Sequence, residues 1–342
     1  MLTMDVFNQD AFSARSLTAA IDKVGYAPSL LGTIPGLFVP VPIRTITVMI
    51  EERANAPALI QTSPRGAPPK QRGGEKRNMR GFSTVRLAEG SKIQASEIQG
   101  IRAFGSETEL KQLQTEVATR QAKIRADLEL TWEYHRLGAL QGKVLDADGT
   151  SVIYDWATEF GQTIPAEIDF DLDNPNPATG AVRKNCNTVK RAISKGLQGL
   201  GGDGVAVGAL CGDAFWDDLT SHPEVEKTFL NTQQASDLRE GFGKAWTSFK
   251  YGDITWINYR GSDDGAVSVG TDKAKFFPIG AGIFQVAMSP GESFDFVNTP
   301  GQMVYSNIVV DKDRNMWAEV EAYSYPLFVC TMPQALHRAK RT

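Results

Sequence analysis

The side chains that could carry out catalysis or bind a metal ion are few and scattered along this chain of 342 residues. Its three histidines, His135, His222 and His337, lie in different segments, and none has a cysteine or carboxylate at metal-ligand spacing with a second ligand to match. The GxSxG, P-loop and HExxH motifs are also absent from the sequence. We therefore expect no catalytic residue, no cofactor site and no metal site, which disfavours a zinc or nucleophilic enzyme.

Two groups of carboxylates have the alternation that calcium-binding loops use. Asp169, Asp171 and Asp173 alternate in one segment, and Asp146 and Asp148 in another. A calcium loop also needs a glycine and a distal glutamate at fixed positions, and both segments lack that combination. A polar strand face that runs into an Asn-Pro-rich turn is the favoured interpretation of the first group.

The segment Gly199–Gly204 spells GLGGDG, which matches the G-x-G-x-x-G pattern of dinucleotide-binding loops. That fold requires a strand, then the glycine loop, then a helix. Here the order is reversed, because a predicted helix at Asn187–Leu200 precedes the loop and a β-like run, VAVGALCG, follows it. We interpret the pattern as a helix C-cap and turn, so an α/β nucleotide-binding enzyme is the less favoured class.

The composition is that of an ordinary folded protein, with 42% hydrophobic and 22% charged residues and a net charge of −4. Three distant cysteines, Cys186, Cys211 and Cys330, form no CxxC pair, which favours a reducing compartment. No apolar run is long enough for a transmembrane helix, so no membrane partner is expected. The N-terminal residues are too polar and acidic for a signal peptide, and we expect the protein to stay in the cytosol in which it is made.

Basic side chains concentrate in a Gly- and Pro-rich segment between two β-like runs, Arg44–Arg53 and Phe82–Ile93. From Arg65 in this segment to Arg86 in the second run, the basic residues are Arg65, Lys70, Arg72, Lys76, Arg77, Arg80 and Arg86. Loops longer than about 12–15 residues are uncommon in compact domains, so the pattern predicts an extended hairpin with a long basic tip. The tip could contact a neighbouring subunit, bind nucleic-acid phosphates or lie in solvent. The scarcity of aromatic residues disfavours single-strand binding, and we favour the subunit contact.

An apolar, proline-rich segment, Thr33–Ile43, precedes this hairpin. Its prolines exclude a helix and a central strand. Two interpretations are equally supported. The segment could be an extended arm lying on another subunit, with Pro35, Leu37, Phe38 and Val39 as contact residues, or an edge segment packed on the chain's own core.

A long amphipathic helix is predicted for residues 106–137, which contain neither glycine nor proline. Ser106 and Glu109 form a capping-box pattern at its start. The apolar stripe of this helix consists of Leu110, Leu113, Val117, Ile124, Leu128 and Thr131. We expect the helix to break at Gly138, and Asp148-Gly149 to turn a hairpin between two β-rich runs.

The rest of the chain is predicted to mix helix and strand, which gives an α+β fold class. A helix is expected at Asp213–His222 with Asp213 as its N-cap. Residues 246–310 are rich in strand formers and glycine turns. The run MWAEVEAYSYPLFVC also has the pattern of a strand, and we expect the basic tail HRAKRT to fray.

Seven stretches of the sequence, taken in order, resemble the major capsid proteins of tailed phages, in particular the family of the lambda head protein E. They are EIQGIRAFG (97–105), DLELTWEYHRLGALQGKVLDADG (127–149), FWDDLTSHPEV (215–225), FKYGDITWINYRG (249–261), FFPIG (276–280), VNTPGQMVYSN (297–307) and AYSYPLFVCTMPQAL (322–336). Each stretch is a weak signal alone. The ordered set is specific, because its seven stretches follow the family's order from residue 97 to residue 336.

The resemblance implies the HK97-like capsid fold, an α+β architecture with four parts. It would divide the chain into an N-terminal arm (1–43), an extended β-hairpin loop or E-loop (44–96), a peripheral domain (97–165 and 311–342) with a spine helix (106–137), and an axial domain (166–310). The hairpin, the long helix and the arm expected from the residues fit this division.

The resemblance also implies a structural role in the virion. The protein would self-assemble in the host cytoplasm, as pentamers and hexamers, into an icosahedral head shell that encloses double-stranded phage DNA without sequence-specific binding. No long Glu- and Lys-rich helical segment precedes the arm, so a separate scaffold protein is expected, together with a portal protein. The need for a decoration protein stays open. The alternative is an encapsulin-like bacterial nanocompartment shell of the same fold.

Overall fold

The computed structural model describes residues 28–53, 77–94, 109–200, 205–230, 248–311, 313–314 and 316–342, with the backbone alone for 52–53, 77–78, 109–116 and 229–230. The helices are α1 (Leu30–Thr33), α2 (Glu109–Gln141), α3 (Trp156–Phe160), α4 (Ala181–Gly196), α5 (Asp213–Ser221) and α6 (Pro223–Leu230). The first strands are β1 (Val39–Pro42), β2 (Thr47–Arg53), β3 (Arg77–Ser83), β4 (Leu87–Gln94), β5 (Lys143–Leu145), β6 (Val152–Asp155), β7 (Ile168–Asp169) and β8 (Ala206–Cys211). The others are β9 (Ser248–Tyr251), β10 (Ile254–Asn258), β11 (Lys273–Ile279), β12 (Phe284–Met288), β13 (Tyr305–Val310), β14 (Trp317–Ser324), β15 (Pro326–Cys330) and β16 (His337–Lys340).

The long helix α2 spans 33 described residues and continues past the predicted break at Gly138. That prediction is wrong because the glycine serves a close approach and not a helix end. A Cβ atom at Gly138 would lie 2.8 Å from the carbonyl oxygen of Lys143 and 3.1 Å from the Cα of Val144. The helix ends instead before Gly142, whose φ of +83° is in the left-handed region that favours glycine.

The predicted apolar stripe of α2 is buried at Ile124 and Leu128, while the side chains of Leu110 and Leu113 lie outside the described part. From Trp132 onward the burial spreads around most of the helix. The buried residues there are Trp132, Glu133, His135, Leu137, Ala139 and Leu140. The C-terminal half of α2 is therefore a core helix, which packs against β14, β15 and the β5–β6 hairpin.

A six-stranded sheet, in the order β7-β16-β11-β8-β10-β9, forms one part of the molecule. Its core contains the fully buried rings of Phe170, Phe215, Trp256 and Phe276, with the Trp256 and Phe276 centroids 5.3 Å apart. Helices α4 and α5 each contact β11 of this sheet.

The basic tail, which was expected to fray, forms β16 between β7 and β11, so that prediction is wrong. Residues Lys273–Phe276 pair with His337–Lys340 in antiparallel register. His337 and Ala339 are buried while their neighbours are half exposed. The tail thus has the alternating burial of a strand, although its basic composition favours an exposed end.

Two three-stranded sheets, β1-β12-β15 and β13-β14-β4, accompany the spine. Trp132 of α2 donates a hydrogen bond from its indole nitrogen to Ser324 Oγ of β14, at 3.2 Å. These sheets combine strands from distant parts of the chain, because β1 pairs with β12 in parallel and β4 pairs with β14 in antiparallel register.

The extended hairpin differs from the predicted pairing. β2 pairs with β3, from Thr47 opposite Ser83 to Arg53 opposite Arg77, whereas β4 leaves the hairpin and joins β14. The predicted return strand at Phe82–Ile93 is thus two strands separated by a bend. The bend is fixed by hydrogen bonds from Thr84 N to Ile46 O (3.0 Å) and from Val85 N to Pro326 O (3.1 Å).

Of the other local predictions, the turn and the strands are confirmed and the N-cap is wrong. The hairpin turn at Asp148-Gly149 between β5 and β6 is confirmed, as are strands in the described part of residues 246–310. The N-cap of α5 is Gly212 and not Asp213. A Cβ atom at Gly212 would lie 2.2 Å from the carbonyl oxygen of Gly270, so the close approach of these segments excludes a side-chain cap there.

No helix in the described ranges is long and apolar enough to span a bilayer.

The predicted four-part division stays a prediction, but two strands qualify its boundaries. β16 lies in the sheet that otherwise contains strands from 168–279, although the tail was assigned to the peripheral domain. β12 pairs with β1 and β15, although it was assigned to the axial domain.

Candidate functional site

The three histidines lie apart and are buried. Burial lowers the pKa of His135 to about 4 and also lowers the pKa values of His222 and His337. His222 accepts a hydrogen bond at Nδ1 from the amide of Glu224, at 3.2 Å. Within the described ranges, no group of three or more His, Cys, Asp or Glu side chains is arranged to hold a metal ion.

The candidate calcium carboxylates are used in local turns. Asp148 accepts hydrogen bonds from the hydroxyl of Ser151 (2.5 Å) and from the amides of Ser151 (2.8 Å) and Thr150 (2.9 Å), and these bonds, the hydroxyl's first, lower its pKa to about 2. Asp169 accepts a hydrogen bond from the amide of Asp171 and pairs with Lys340 Nζ at 3.1 Å. These contacts are those of Asx turns and strand ends.

The glycine-rich segment follows helix α4 and precedes strand β8, as predicted. Gly199 has a φ of +91° and ends the helical turn, while residues 201–204 lie outside the described part. The order helix, turn, strand is the reverse of the order that a dinucleotide-binding loop requires.

Of the predicted basic contact residues, four lie outside the described residues: Arg65, Lys70, Arg72 and Lys76. Arg77 is described by its backbone alone, in β3. Arg80 is half-buried on the hairpin. Arg86 is bound within its own chain, because its Nε lies 3.2 Å from Glu292 Oε2 and its guanidinium lies 5.3 Å from the centre of the Tyr323 ring.

The predicted arm residues are divided between the chain's own core and the surface. Leu37 is 2% exposed, and the ring of Phe38 lies 5.5 Å from Phe284 and 5.6 Å from Phe328. The positions of these two residues agree with the interpretation in which the segment packs on the chain's own core. Pro35 and Val39 are exposed, so a contact with another subunit stays a prediction for them.

A buried carboxylate in the spine was missed by the sequence reasoning. Glu133 has no exposed surface, and it accepts hydrogen bonds from the amide of Leu31 (2.8 Å), the hydroxyl of Tyr259 (3.3 Å) and Nη1 of Arg136 (3.3 Å). We call these four residues, with Gly32, the Glu133 joint. It connects the arm root, the spine and the end of β10.

The electrostatics of the Glu133 joint are those of a partly compensated buried charge. Burial raises the pKa of the Glu133 carboxyl, and its hydrogen bonds with Leu31 and Arg136 oppose that shift. Arg136 lies against Gly32, where a Cβ atom would be 2.7 Å from Nη1, and over the ring of Phe328 at 5.4 Å. The only sequence signal for this joint is a charge inside the aromatic run WEYH.

The hairpin is fixed to the body by an aromatic cluster at its root. Phe82 is 3% exposed, and its ring centroid lies 5.3 Å from Trp156, 5.6 Å from Tyr154 and 5.6 Å from Phe160. The Tyr154 hydroxyl accepts a hydrogen bond from Ser83 N at 3.0 Å and donates one to Ser83 O at 3.1 Å. The root of the hairpin is therefore held by contacts within the subunit.

The comparison with protein families decides the identity of this architecture. The model of the family described as phage major capsid protein E matches residues 13–341. The chain belongs to this family.

Similar proteins agree with this assignment. The capsid protein is 28% identical over 317 residues to the major capsid protein of Pseudomonas phage KPP10, covering 86% of this chain and 87% of the relative. It is 30% identical over 286 residues to the major capsid protein of Salmonella phage Felix O1, covering 75% and 76%. The solved capsid of Myoviridae phage XM1 shares the fold with a TM-score of 0.53 at 14% identity, covering 96% of this chain and 98% of that one.

These findings confirm the resemblance, the HK97-like α+β fold and the assignment as a major capsid protein of tailed phages. The capsid protein is a structural component of the virion and belongs to a family that is not an enzyme family. The capsid assignment is therefore favoured over the nucleotide-binding and encapsulin-like alternatives.

Proposed function

We propose that this capsid protein assembles as pentamers and hexamers into the icosahedral head shell that encloses double-stranded phage DNA. The observation that carries the proposal is the family match across residues 13–341. The internal design of the subunit supports it, since the Glu133 joint and the aromatic hairpin root hold the arm root, the spine and the hairpin in fixed relation. Shell subunits need such rigid parts, because shell expansion moves them as bodies about hinges.

Two segments are proposed to reach neighbouring subunits. The arm would do so through its exposed residues Pro35 and Val39, and the hairpin through its basic residues. These basic residues are Arg65, Lys70, Arg72, Lys76, Arg77, Arg80 and Arg86. Contacts of this kind bury apolar surface and add strands to neighbouring sheets. Arg86 forms an ion pair with Glu292 of its own chain, but its side chain is 53% exposed, so it stays in the set of proposed contact residues.

The enclosed DNA is proposed to be contained without sequence-specific binding. A net charge of −4 provides no overall attraction for phosphates. Assembly is proposed to take place in the host cytoplasm with a separate scaffold protein and a portal protein. A decoration protein is a further candidate partner.

Electron microscopy of the purified protein, with and without its scaffold protein, tests the proposal. We expect closed shells of uniform diameter. A chain that stays monomeric at every concentration, also with the scaffold protein supplied, would contradict it. Particles from infected cells should contain nuclease-protected genomic DNA, whereas a packaged enzyme in place of DNA would favour the encapsulin-like alternative.

A further inference from the structure

The carboxylate of the Glu133 joint divides its hydrogen bonds unequally between its two oxygens. Oε2 accepts one from Nη1 of Arg136 (3.3 Å), which lies on the same helix. Oε1 accepts the other two, from the amide of Leu31 (2.8 Å) and from the hydroxyl of Tyr259 (3.3 Å). A single oxygen atom of the spine therefore connects two segments that belong to different parts of the subunit.

The negative charge of Glu133 is compensated within the spine itself. Glu133 and Arg136 are three positions apart on α2, and their side chains are 0% and 16% exposed. Because both residues move with the same helix, their ion pair does not depend on either of the other two segments. Displacement of Leu31 or of Tyr259 then costs a hydrogen bond and local packing, but leaves no unpaired buried charge.

The arm root depends on Glu133 for one of its backbone bonds. The amide of Leu31 lies in the first turn of α1, where amides have no acceptor within the helix. Ser29, the N-cap of α1, forms no capping hydrogen bond with its side chain. The Glu133 carboxylate therefore caps α1 from another element, and it does so at a buried position, since Leu31 is 1% exposed.

Tyr259 is attached to the six-stranded sheet. It directly follows β10, it is 3% exposed, and its amide donates a hydrogen bond to the carbonyl oxygen of Cys211 in β8, at 3.0 Å. A displacement of this sheet relative to the spine would therefore carry the Tyr259 hydroxyl with it.

Loss of the Tyr259 donor has two opposing effects on the bond from Leu31 to Glu133. Fewer donors would share Oε1, which strengthens the remaining bond. The carboxylate would also lose a contact that fixes its orientation, since the terminal torsion of glutamate is broad, and a bond that offsets the cost of its burial. Burial is the main cause that raises the pKa of Glu133, and the Tyr259 hydroxyl opposes it. Without that hydroxyl the neutral acid, a weaker acceptor, is favoured, so the weakening should dominate.

We propose that Glu133 couples the arm root to the six-stranded sheet, so that movement of the sheet away from the spine loosens the arm root. Such a coupling is reciprocal, and a loosened arm root must weaken the hold on Tyr259. The link lies within one subunit. It therefore goes beyond the proposed function and does not rest on it, and the unassembled full-length chain is sufficient to test it.

The first experiment measures hydrogen–deuterium exchange of the unassembled subunit by mass spectrometry. In Tyr259→Phe the amides of residues 28–38 should exchange about fivefold faster, as for the loss of one net hydrogen bond. The control Tyr251→Phe removes a hydroxyl that donates to another carboxylate, Glu224 Oε1, at 2.7 Å, and should leave this exchange unchanged. Unchanged or slower exchange in Tyr259→Phe, or equal acceleration in both variants, overturns the inference.

The second experiment shows whether the effect passes through the carboxylate. The background combines Glu133→Met with Arg136→Met, which removes both charges and leaves neither one unpaired. Adding Tyr259→Phe to this background should no longer change the exchange of residues 28–38. An acceleration that persists in this background would show a general loosening of the subunit and overturn the inference.

The third experiment tests the reciprocal direction in the otherwise wild-type chain. Leu30→Ala truncates a buried residue of the arm root, 5% exposed, and the control Ile93→Ala truncates a residue of β4 that is 2% exposed. Exchange in residues 254–259 should rise severalfold in Leu30→Ala and not in the control. No rise in Leu30→Ala, or an equal rise in both variants, overturns the coupling.

Discussion

The buried Glu133 carboxylate is the residue on which three parts of the subunit converge. Replacing Glu133 with Ala leaves the Arg136 guanidinium, whose side chain is 16% exposed, without its carboxylate. We expect the free energy of unfolding of the unassembled subunit to fall by roughly 3–5 kcal/mol, as when one partner of a buried pair is removed. Urea denaturation followed by tryptophan fluorescence measures the change.

Tyr259→Phe provides the matched comparison, because it removes one neutral donor to Glu133 and keeps the ring. Its expected cost is about 1 kcal/mol. A Glu133→Ala variant no less stable than Tyr259→Phe would show that the joint does not stabilise the subunit.

His135 predicts a loss of stability at acidic pH. Burial lowers its pKa from the ordinary 6.5 to about 4. Between these values the unfolded chain binds a proton that the folded chain does not, so the stability present above pH 6.5 decreases as the pH falls towards 4. The full contribution is about 3 kcal/mol.

Melting temperatures measured from pH 7.5 to pH 4 should therefore fall less steeply in His135→Phe than in the wild type. His222 and His337, whose pKa values are also lowered by burial, should keep part of the slope in that variant. Identical slopes for the two proteins would rule out the contribution of His135.

For single residues, the sequence shows which side chains are present and how they are spaced, but it does not show which of them become buried or which partners they bind. That the three histidines are unsuited to metal binding stays a prediction from their spacing in the sequence. The burial of Glu133 could not be predicted, because its partners Leu31 and Tyr259 lie 102 and 126 positions away along the chain. Periodicity within the helix carries no information on such distant donors.

The spine helix provides a prediction at the scale of one element. On helix propensity alone, Gly138→Ala should stabilise the subunit by about 1 kcal/mol. The close approach of the β5–β6 hairpin predicts the opposite sign, since the new Cβ atom would lie 2.8 Å from a backbone oxygen. We expect the variant to be less stable by about 1–3 kcal/mol, the usual cost of overpacking.

Ala118→Gly, at an exposed position of the same helix, measures the propensity effect alone and should cost about 1 kcal/mol. Denaturation curves of both variants separate the two effects. An increase in stability for Gly138→Ala would show that the hairpin moves away at little cost.

Element existence was more predictable than element limits and pairings. The apolar stripe and the absence of glycine before Gly138 predicted the long helix, because these signals are local. Ser106 of the capping pattern lies outside the described residues. The split between β3 and β4 was missed, because β4 is defined by its pairing with β14, more than 200 positions away by the numbering of their partners Gln94 and Trp317. The tail was misjudged for the same reason, since its basic residues belong to a strand paired with Lys273–Phe276.

For the whole molecule, the order of short stretches predicted the fold and the family, although no single stretch was specific. The surfaces between copies were less predictable. Two of the four arm residues, Leu37 and Phe38, pack within their own chain, since an apolar segment can cover its own core as well as a neighbour's surface.

The basic part of the hairpin yields the last prediction, which concerns the assembled shell. Arg72, Arg77 and Arg80 are replaced together by Glu. The subunit should stay folded, because the hairpin root is fixed by Phe82 and Tyr154, which the change does not touch. Assembly should be impaired, or the shells should dissociate at lower temperature, because the charge that the hairpin presents to the neighbouring subunit is reversed.

The control replaces Lys184, Arg191 and Lys195, which are exposed on α4, by Glu as well. The net charge of the control variant therefore changes by the same amount as that of the hairpin variant. Light scattering during assembly and electron microscopy of the products compare the two variants across salt concentrations. A charge contact at the hairpin predicts a defect specific to the hairpin variant, with the wild-type contact weakening as salt is raised. Equal defects in both variants would instead indicate that total subunit charge governs assembly, and normal shells from the hairpin variant would count against an inter-subunit role for these arginines.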